Sequence, residues 1–270
     1  MTITESEKAG RGQVSRSAAD IYDEFFVPAL FGEWSARVCD RASIGPGQDV
    51  LDVACGTGVL AGAAARRIGS GGTVTGLDCN ESMLDIARRC RPEIEWISGQ
   101  AESLPFADAR FDAVASQFGL MFFEDRPQAL SEMWRVLKPG GRLAVAVWDS
   151  QDNSPGYTAM TGLLGRLFGD EAADALRAPY CLGDTGQLAS LLSEAGIAGA
   201  TIETVAGRAV FPSIDAWVHT DIRGWTLADM IDDDQYERLQ REARGALKRF
   251  VGADGTVGFE HPAHIVTATR

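Results

Sequence analysis

From about residue 48 to residue 149, strand-length apolar runs alternate with helix-like stretches, and this alternation leaves few architectures open. The runs at 50–54, 74–77, 94–97, 111–115 and 143–148 are short, and most are bounded by Gly, Pro or Asp. Helix-like periodicity fills 58–68, 82–89 and 127–137, the last closed by Lys138-Pro139-Gly140-Gly141. Strands that alternate with helices form βαβ units, and such units build a parallel sheet covered on both faces. Two further strand-like runs, 200–211 and 265–269, would finish the sheet as an antiparallel pair. The expected fold class is therefore α/β: a doubly wound, mostly parallel, seven-stranded Rossmann-like sheet with helical cap insertions.

The flanks read differently. An apolar stripe of Ile21, Phe25, Leu30, Trp34 and Val38, with Pro28 at a helix start, predicts one or two helices beside the sheet. The stretches 155–179 and 213–250 also read as helical, the second behind the acids Asp232 to Asp234, which suit a helix N-terminus. We expect an N-terminal helical arm at 1–43, the core at 44–150, and at 151–270 the rest of the same domain, with insertions after the fifth and sixth strands. A chain of 270 residues fits one elaborated domain better than two.

Charge and cysteine usage exclude several functions. Thirty-eight acids against 25 Lys and Arg leave a net charge of -13, which repels a polyphosphate backbone and argues against nucleic acid as a partner. Cys39, Cys55, Cys79, Cys90 and Cys181 are scattered with no C-x-x-C pair, so neither a disulfide framework nor a metal site is expected, and a reducing cytoplasm is the simplest setting. The polar N-terminus lacks the apolar centre of a signal peptide, and no run reaches the ~20 apolar residues of a membrane span.

The ligand is written at the first strand-to-helix turn, VLDVACGTGVL at 50–60. Gly56 and Gly58 let backbone N–H groups approach a ligand at the carboxyl end of the sheet. Asp78 ends the second strand 22 residues after Gly56, where a carboxylate can accept from both hydroxyls of a ribose. Asp52 then chooses the nucleoside. A dinucleotide would bring its pyrophosphate against that acid, whereas S-adenosylmethionine (SAM) brings a sulfonium, an ammonium and no phosphate. The plainer role for Asp52 is to cap the N–H groups of its own turn.

In order, VLDVACGTG, GLDCNESML, GQAESLPF, FDAVASQFGLMFF and RVLKPGGRLAVAVW resemble the class I SAM-dependent methyltransferases, in the small-molecule group of ubiquinone and menaquinone biosynthesis. The resemblance runs from about 48 to 149. It implies that Asp52, Gly56 and Gly58 hold the methionine end of the cofactor. Asp78 would meet the ribose hydroxyls, Met83 the adenine face, and Ala101 and Glu102 the adenine edge, with Gln100 in the slot of the adenine amino contact and Ala54 and Cys79 as further cofactor-binding residues. Many relatives carry an acid where Gln100 stands. Gln117 and Phe118 would face the reactive methyl, Phe118 as a cation–π partner, although Phe118, Met121, Phe122 and Phe123 equally suit a core. Ser116-Gln117-Phe118-Gly119 replaces the acid or Asn followed by prolines that nitrogen methylators of DNA and protein carry there.

The expected activity is transfer of a methyl group from SAM to a small, partly apolar metabolite, leaving S-adenosyl-L-homocysteine, with an O-, C- or N-acceptor. No catalytic base is legible: His219, His261 and His264 read as structural or solvated, and Tyr22, Asp23 and Glu24 cannot be ranked. A non-catalytic SAM-binding protein and an NAD(P) oxidoreductase are the alternatives. The apolar residues Tyr157, Met160, Leu164, Trp217, Trp225 and Met230 suggest insertions that close over the acceptor, or else form a homodimer interface.

Overall fold

The computed structural model describes residues 16–224 and 226–270. Its main sheet contains β1 (Asp49–Val53), β2 (Thr73–Asp78), β3 (Glu95–Ser98), β4 (Phe111–Gln117), β5 (Leu137–Trp148), β6 (Thr201–Val205) and β9 (Ala263–Thr269), in the order β3-β2-β1-β4-β5-β9-β6. The first five strands pair in parallel, and β9 lies antiparallel between β5 and β6. Helices α3 (Val59–Ile68), α4 (Glu81–Cys90) and α5 (Arg126–Val136) connect the early strands and bury the apolar runs that the sequence presents without alternation. Strand order reverses between β1 and β4. The crevice beyond the carboxyl ends of those two strands is where such sheets bind ligands.

Four local outcomes depart from the sequence reading. The run at 200–211 is two strands: β6 stays in the main sheet, while β7 (Arg208–Phe211) leaves to form a hairpin with β8 (Val257–Glu260). Gly207 sits at the break. A Cβ there would come within 2.3 Å of the Trp34 ring, and its carbonyl accepts from the His261 N–H at 2.8 Å, so the chain is turned out of the sheet. The second insertion accordingly lies between the hairpin strands β7 and β8, not after the sixth strand of the sheet.

The Lys138-Pro139-Gly140-Gly141 stretch does not merely close a helix but is absorbed into β5. The pairing jumps from Phe111↔Leu137 to Ala113↔Arg142, and Gly140 takes φ +80 at that irregularity. Pro28 does not start a helix. It lies inside a π-helical segment, Tyr22–Phe31, where the Gly32 N–H reaches back five residues to the Val27 carbonyl. This extra residue per turn shifts the apolar stripe, so that Phe26 is buried where Phe25 was expected. Lastly, α8 (Thr185–Glu194) occupies a stretch to which periodicity assigns no element, capped by Asp184 through the Gln187 N–H at 2.8 Å.

The remaining helices surround the crevice. On one side lie α1 (Arg16–Ile21), the π-helical segment and α2 (Gly32–Arg41). On the other lie α6 (Pro155–Phe168) and α7 (Asp170–Arg177), followed by α9 (Ile214–Arg223) and α10 (Asp233–Ala246). The N-terminus of α10 has a capping box between Asp232 and Gln235, as the acids there suggest. Among the described residues no helix is long and apolar enough to cross a membrane, and no His, Cys, Asp or Glu cluster could hold a metal ion.

Candidate active site

The turn after β1 is held by two carboxylates. Asp52, 1% exposed, accepts the Ala61 N–H of α3 on Oδ2 at 2.8 Å, while its Oδ1 is buried without a partner. Asp78 accepts the Gly56 N–H on Oδ2 and the Asn80 N–H on Oδ1, both at 2.8 Å. Burial pushes the Asp52 carboxyl up to about 8 against the pull of the Ala61 N–H, and Asp78 adds to the rise. The Asp78 carboxyl is raised as well, by burial outweighing its backbone donors. Two acids held this close in a dry site form a receptor for positive charge and for donors.

Backbone strain concentrates at the same place. Ala54 and Phe118, at the ends of neighbouring strands β1 and β4, both take φ +58, which costs a non-glycine residue ~1–2 kcal/mol. Gly56 takes φ +54 with open space where a Cβ would stand, which suits the approach of a ligand. Gly58 differs. At φ +86 it starts α3, and a Cβ there would fall 2.4 Å from the Trp96 ring. Its glycine is required by the turn and by Trp96 rather than by a ligand.

Two small cavities adjoin at this point. The first, about 30 Å³, is lined by Asp52, Ala54, Cys55, Gly56, Thr57 and Gln117, and closed by Tyr22 and Phe31. Three buried polar atoms of its lining residues lack a partner: Asp52 Oδ1, Thr57 Oγ1 and Gln117 Oε1. Buried polar atoms are normally satisfied, so this group asks for a polar ligand. Gln117 is steadied from the other side, where its Nε2 donates to the Phe31 carbonyl at 3.3 Å.

The second cavity, about 50 Å³, shares Tyr22 and Phe31 and is walled by rings and apolar side chains, with Asp221 and His261 among them. Phe118 stacks on Trp148 with centroids 3.7 Å apart and planes at 12°, so one face of Phe118 is already taken. Phe31 lies 5.6 Å from Phe118. A space this size holds a water or two, so a metabolite enters only if a wall moves.

The sequence-predicted residues are thus divided. Asp52, Ala54, Gly56 and Gln117 come together in the first cavity, Phe118 borders the second, and Asp78 joins through Gly56. Cys79, Met83, Gln100, Ala101 and Glu102 line neither. Met83 packs against Ala19 of α1 and Ile86, Ala101 is buried, and Cys79 and Gln100 are exposed. Glu102 accepts the Glu124 N–H at 2.9 Å, which ties its carboxylate to the loop before α5.

The cap is built differently from expectation. Tyr157, Leu176, Pro179 and Tyr180 of the first insertion line the second cavity, but only Asp221 does so from the second insertion. Met160 and Leu164 are core, and Trp217 packs on Phe211 and Phe259. Met230 is half-buried, and Trp225 lies outside the described residues. The N-terminal arm supplies Tyr22, Phe26, Leu30 and Phe31 instead, since the π-helical turn presents successive rings inward.

Sequence reasoning passed over Asp221, His261 and Tyr180 as site residues. Asp221 was detectable as an acid four residues after Trp217 on the buried face of an apolar helix. Nothing local marks His261, whose position comes from the β8–β9 connection.

A sheet in this order, with an acid at the end of β1 and glycines before α3, has the Rossmann-like fold of the class I methyltransferases. The phosphoethanolamine N-methyltransferase 2 of Haemonchus contortus, solved in complex with S-adenosyl-L-methionine, shares that fold at a TM-score of 0.65 and 17% identity, covering 100% of this chain and 60% of its own. The chain belongs to the ubiE/COQ5 methyltransferase family, whose model matches residues 13–210. It is 44% identical over 147 residues to the demethylmenaquinone methyltransferase of Renibacterium salmoninarum, covering 54% of this chain and 61% of that protein. The chloroplastic 2-phytyl-1,4-beta-naphthoquinone methyltransferase of Arabidopsis thaliana is 31% identical over 224 residues, covering 79% and 83%. Thus the chain spans about three fifths of the first of these relatives.

Proposed function

We propose that the protein transfers a methyl group from SAM to a small, partly apolar acceptor held between the N-terminal arm and the first insertion. The observation that carries this reading is the buried, unpartnered Asp52 Oδ1 at the glycine turn. An acid there suits an ammonium and opposes a pyrophosphate, which favours SAM over NAD. The residues present fit the cofactor: Asp52, Ala54, Gly56 and Gln117 would hold its methionine end and Asp78 its ribose. Met83, Ala101 and Gln100 stay proposed for the adenine, on the resemblance alone, as do Cys79 and Glu102.

SAM, when bound, supplies an electrophilic methyl group on a sulfonium that leaves readily. The chain's own part is to align an acceptor and keep water out, for which the stacked Phe118 and Trp148 and the ring of Tyr22 are suited. Quinone rings named in the relatives agree with these aromatic walls. We further place the protein in the cytoplasm, on five scattered cysteines with no C-x-x-C pair, and expect no nucleic-acid partner from its charge. A homodimer stays part of the proposal only as an alternative use of the insertions.

Titration calorimetry tests the reading. Wild type should bind SAM and not NAD, and Asp78→Asn should weaken SAM by roughly 1.5–3 kcal/mol. Binding of NAD without SAM would reject it. A chain that binds SAM but consumes none with a metabolite extract would instead support the non-catalytic alternative.

A further inference from the structure

Apart from Tyr22, Tyr157 and Tyr180, the polar residues that line the aromatic cavity are two, both beyond residue 210, where the family match ends. Asp221, on α9, is 1% exposed. Its Oδ1 accepts from the Tyr157 hydroxyl at 3.3 Å; its Oδ2 is buried with no partner in hydrogen-bonding geometry, although the Trp217 indole N–H, one turn earlier on α9, lies near enough to favour the carboxylate. His261, in the β8–β9 connection, is also 1% exposed; its Nδ1 meets the Ser154 hydroxyl at 2.8 Å, and its Nε2 is buried without a partner. Tyr157 bridges the two, its hydroxyl on Asp221 and its ring centroid 4.9 Å from the imidazole. Unpartnered buried polar atoms are rare, and two on the wall of one cavity of about 50 Å³ point to a single shared ligand group.

We propose that Asp221 and His261 form a recognition subsite for one hydroxyl group on a planar aromatic acceptor, Asp221 Oδ2 and His261 Nε2 being its two partners. A hydroxyl both donates and accepts, so it can satisfy two different atoms at once. The rest of the wall fits a ring: Phe118 stacked on Trp148, and Trp148 with its centroid 4.0 Å from His261. Burial pushes the Asp221 carboxyl up to about 8 and holds the His261 imidazole down at about 3, so both are neutral at neutral pH. Unlike the Asp52 and Asp78 pair, this pole sets a single acid beside an imidazole, so a neutral group that both donates and accepts suits it better than an ammonium. Both residues lie outside the family match, so this chain selects its acceptor with side chains that the match does not supply. The inference rests on the reading of this cavity as the acceptor site.

The test is binding of three para-substituted toluenes to the full chain without cofactor, followed by NMR titration: p-cresol, p-xylene and 4-methylbenzylammonium; each enters only if a wall of the cavity moves, and a wild type that binds none of them overturns the proposal. An apolar slot without a polar pole would prefer p-xylene, which is the more hydrophobic of the first two. Wild type should instead bind p-cresol at least about threefold more tightly than p-xylene. Asp221→Asn should keep that order, whereas Asp221→Leu should reverse it and His261→Phe should reduce it. A wild type that prefers p-xylene or the ammonium overturns the proposal, as does a folded Asp221→Leu that still prefers p-cresol. Should Asp221→Leu fail to fold, the wild-type order and His261→Phe still decide. Because no SAM is present, failure here is distinct from failure of the methyltransferase reading, which SAM calorimetry decides.

Discussion

Replacing Asp52 with Asn should make the protein more stable and a poorer binder of SAM, with the gain in stability growing as pH rises. Asp52 has one oxygen on the Ala61 N–H at 2.8 Å and the other buried without a partner. Burial raises its carboxyl from the ordinary 3.8 to about 8. Between those values the folded chain keeps a proton that the unfolded chain has lost, so stability must fall as pH rises through that window. About four pH units at ~1.4 kcal/mol each set a ceiling near 6 kcal/mol. Local relaxation and water entry reduce what is realised, and we expect roughly 1–3 kcal/mol at about pH 8, shrinking toward zero near pH 4. Asn keeps an acceptor for Ala61 and cannot ionise. Asp78 titrates in both proteins and so cancels from the difference to first order. The assay is urea unfolding of both proteins across this range, with calorimetry of SAM alongside. A stability difference that is flat or falls with pH would refute the burial argument. SAM affinity undiminished in the variant would refute Asp52 as the acceptor of its ammonium.

Gly58→Ala should destabilise the fold by roughly 2–4 kcal/mol in urea unfolding, because it adds strain at φ +86 to a 2.4 Å clash with Trp96. Combining it with Trp96→Ala should remove the clash and leave the backbone part, so the two losses should be far from additive. Tyr180→Ala opens the second cavity without touching the first, so SAM affinity should stay within about tenfold while transfer to any identified acceptor falls, read as KM and kcat. Replacing 155–179 outright would be a poorer test, since Tyr157, Met160 and Leu164 belong to the buried core.

Much of this fold is written locally, for a stated reason. The strands β1, β2 and β4 and the second half of β5 are covered on both faces, so each must be a mainly apolar run that glycine, proline or acid ends, whereas the edge strand β3 is not buried. The turn at 50–60 is legible in the same way, because only certain residue types tolerate its backbone and its charge. Asp52, Gly56 and Asp78 do meet there, with Gly56 donating to Asp78 at 2.8 Å. What escaped was any consequence of distant packing. Pro28 looks like a helix start in isolation, and only a π-helical register against the sheet shows that Tyr22 and Phe31 close both cavities and Phe26 the second. Trp217 looks like a lid residue and is core, whereas Asp221, one helical turn further on, faces the cavity.

The sequence by itself determined the class of sheet, the position of the cofactor turn and the acid at its centre, because these depend on backbone conformation and on residues close in the chain. Tertiary structure alone decided the second cavity. Its walls come from the N-terminal arm, the end of β4, the first insertion, α9 and the β8–β9 connection, stretches separated by up to 239 residues between Tyr22 and His261. No spacing rule links residues so far apart. They meet because the chain leaves the sheet after β6 at Gly207, where a side chain would strike Trp34, and the β7–β8 hairpin brings His261 back against Trp148.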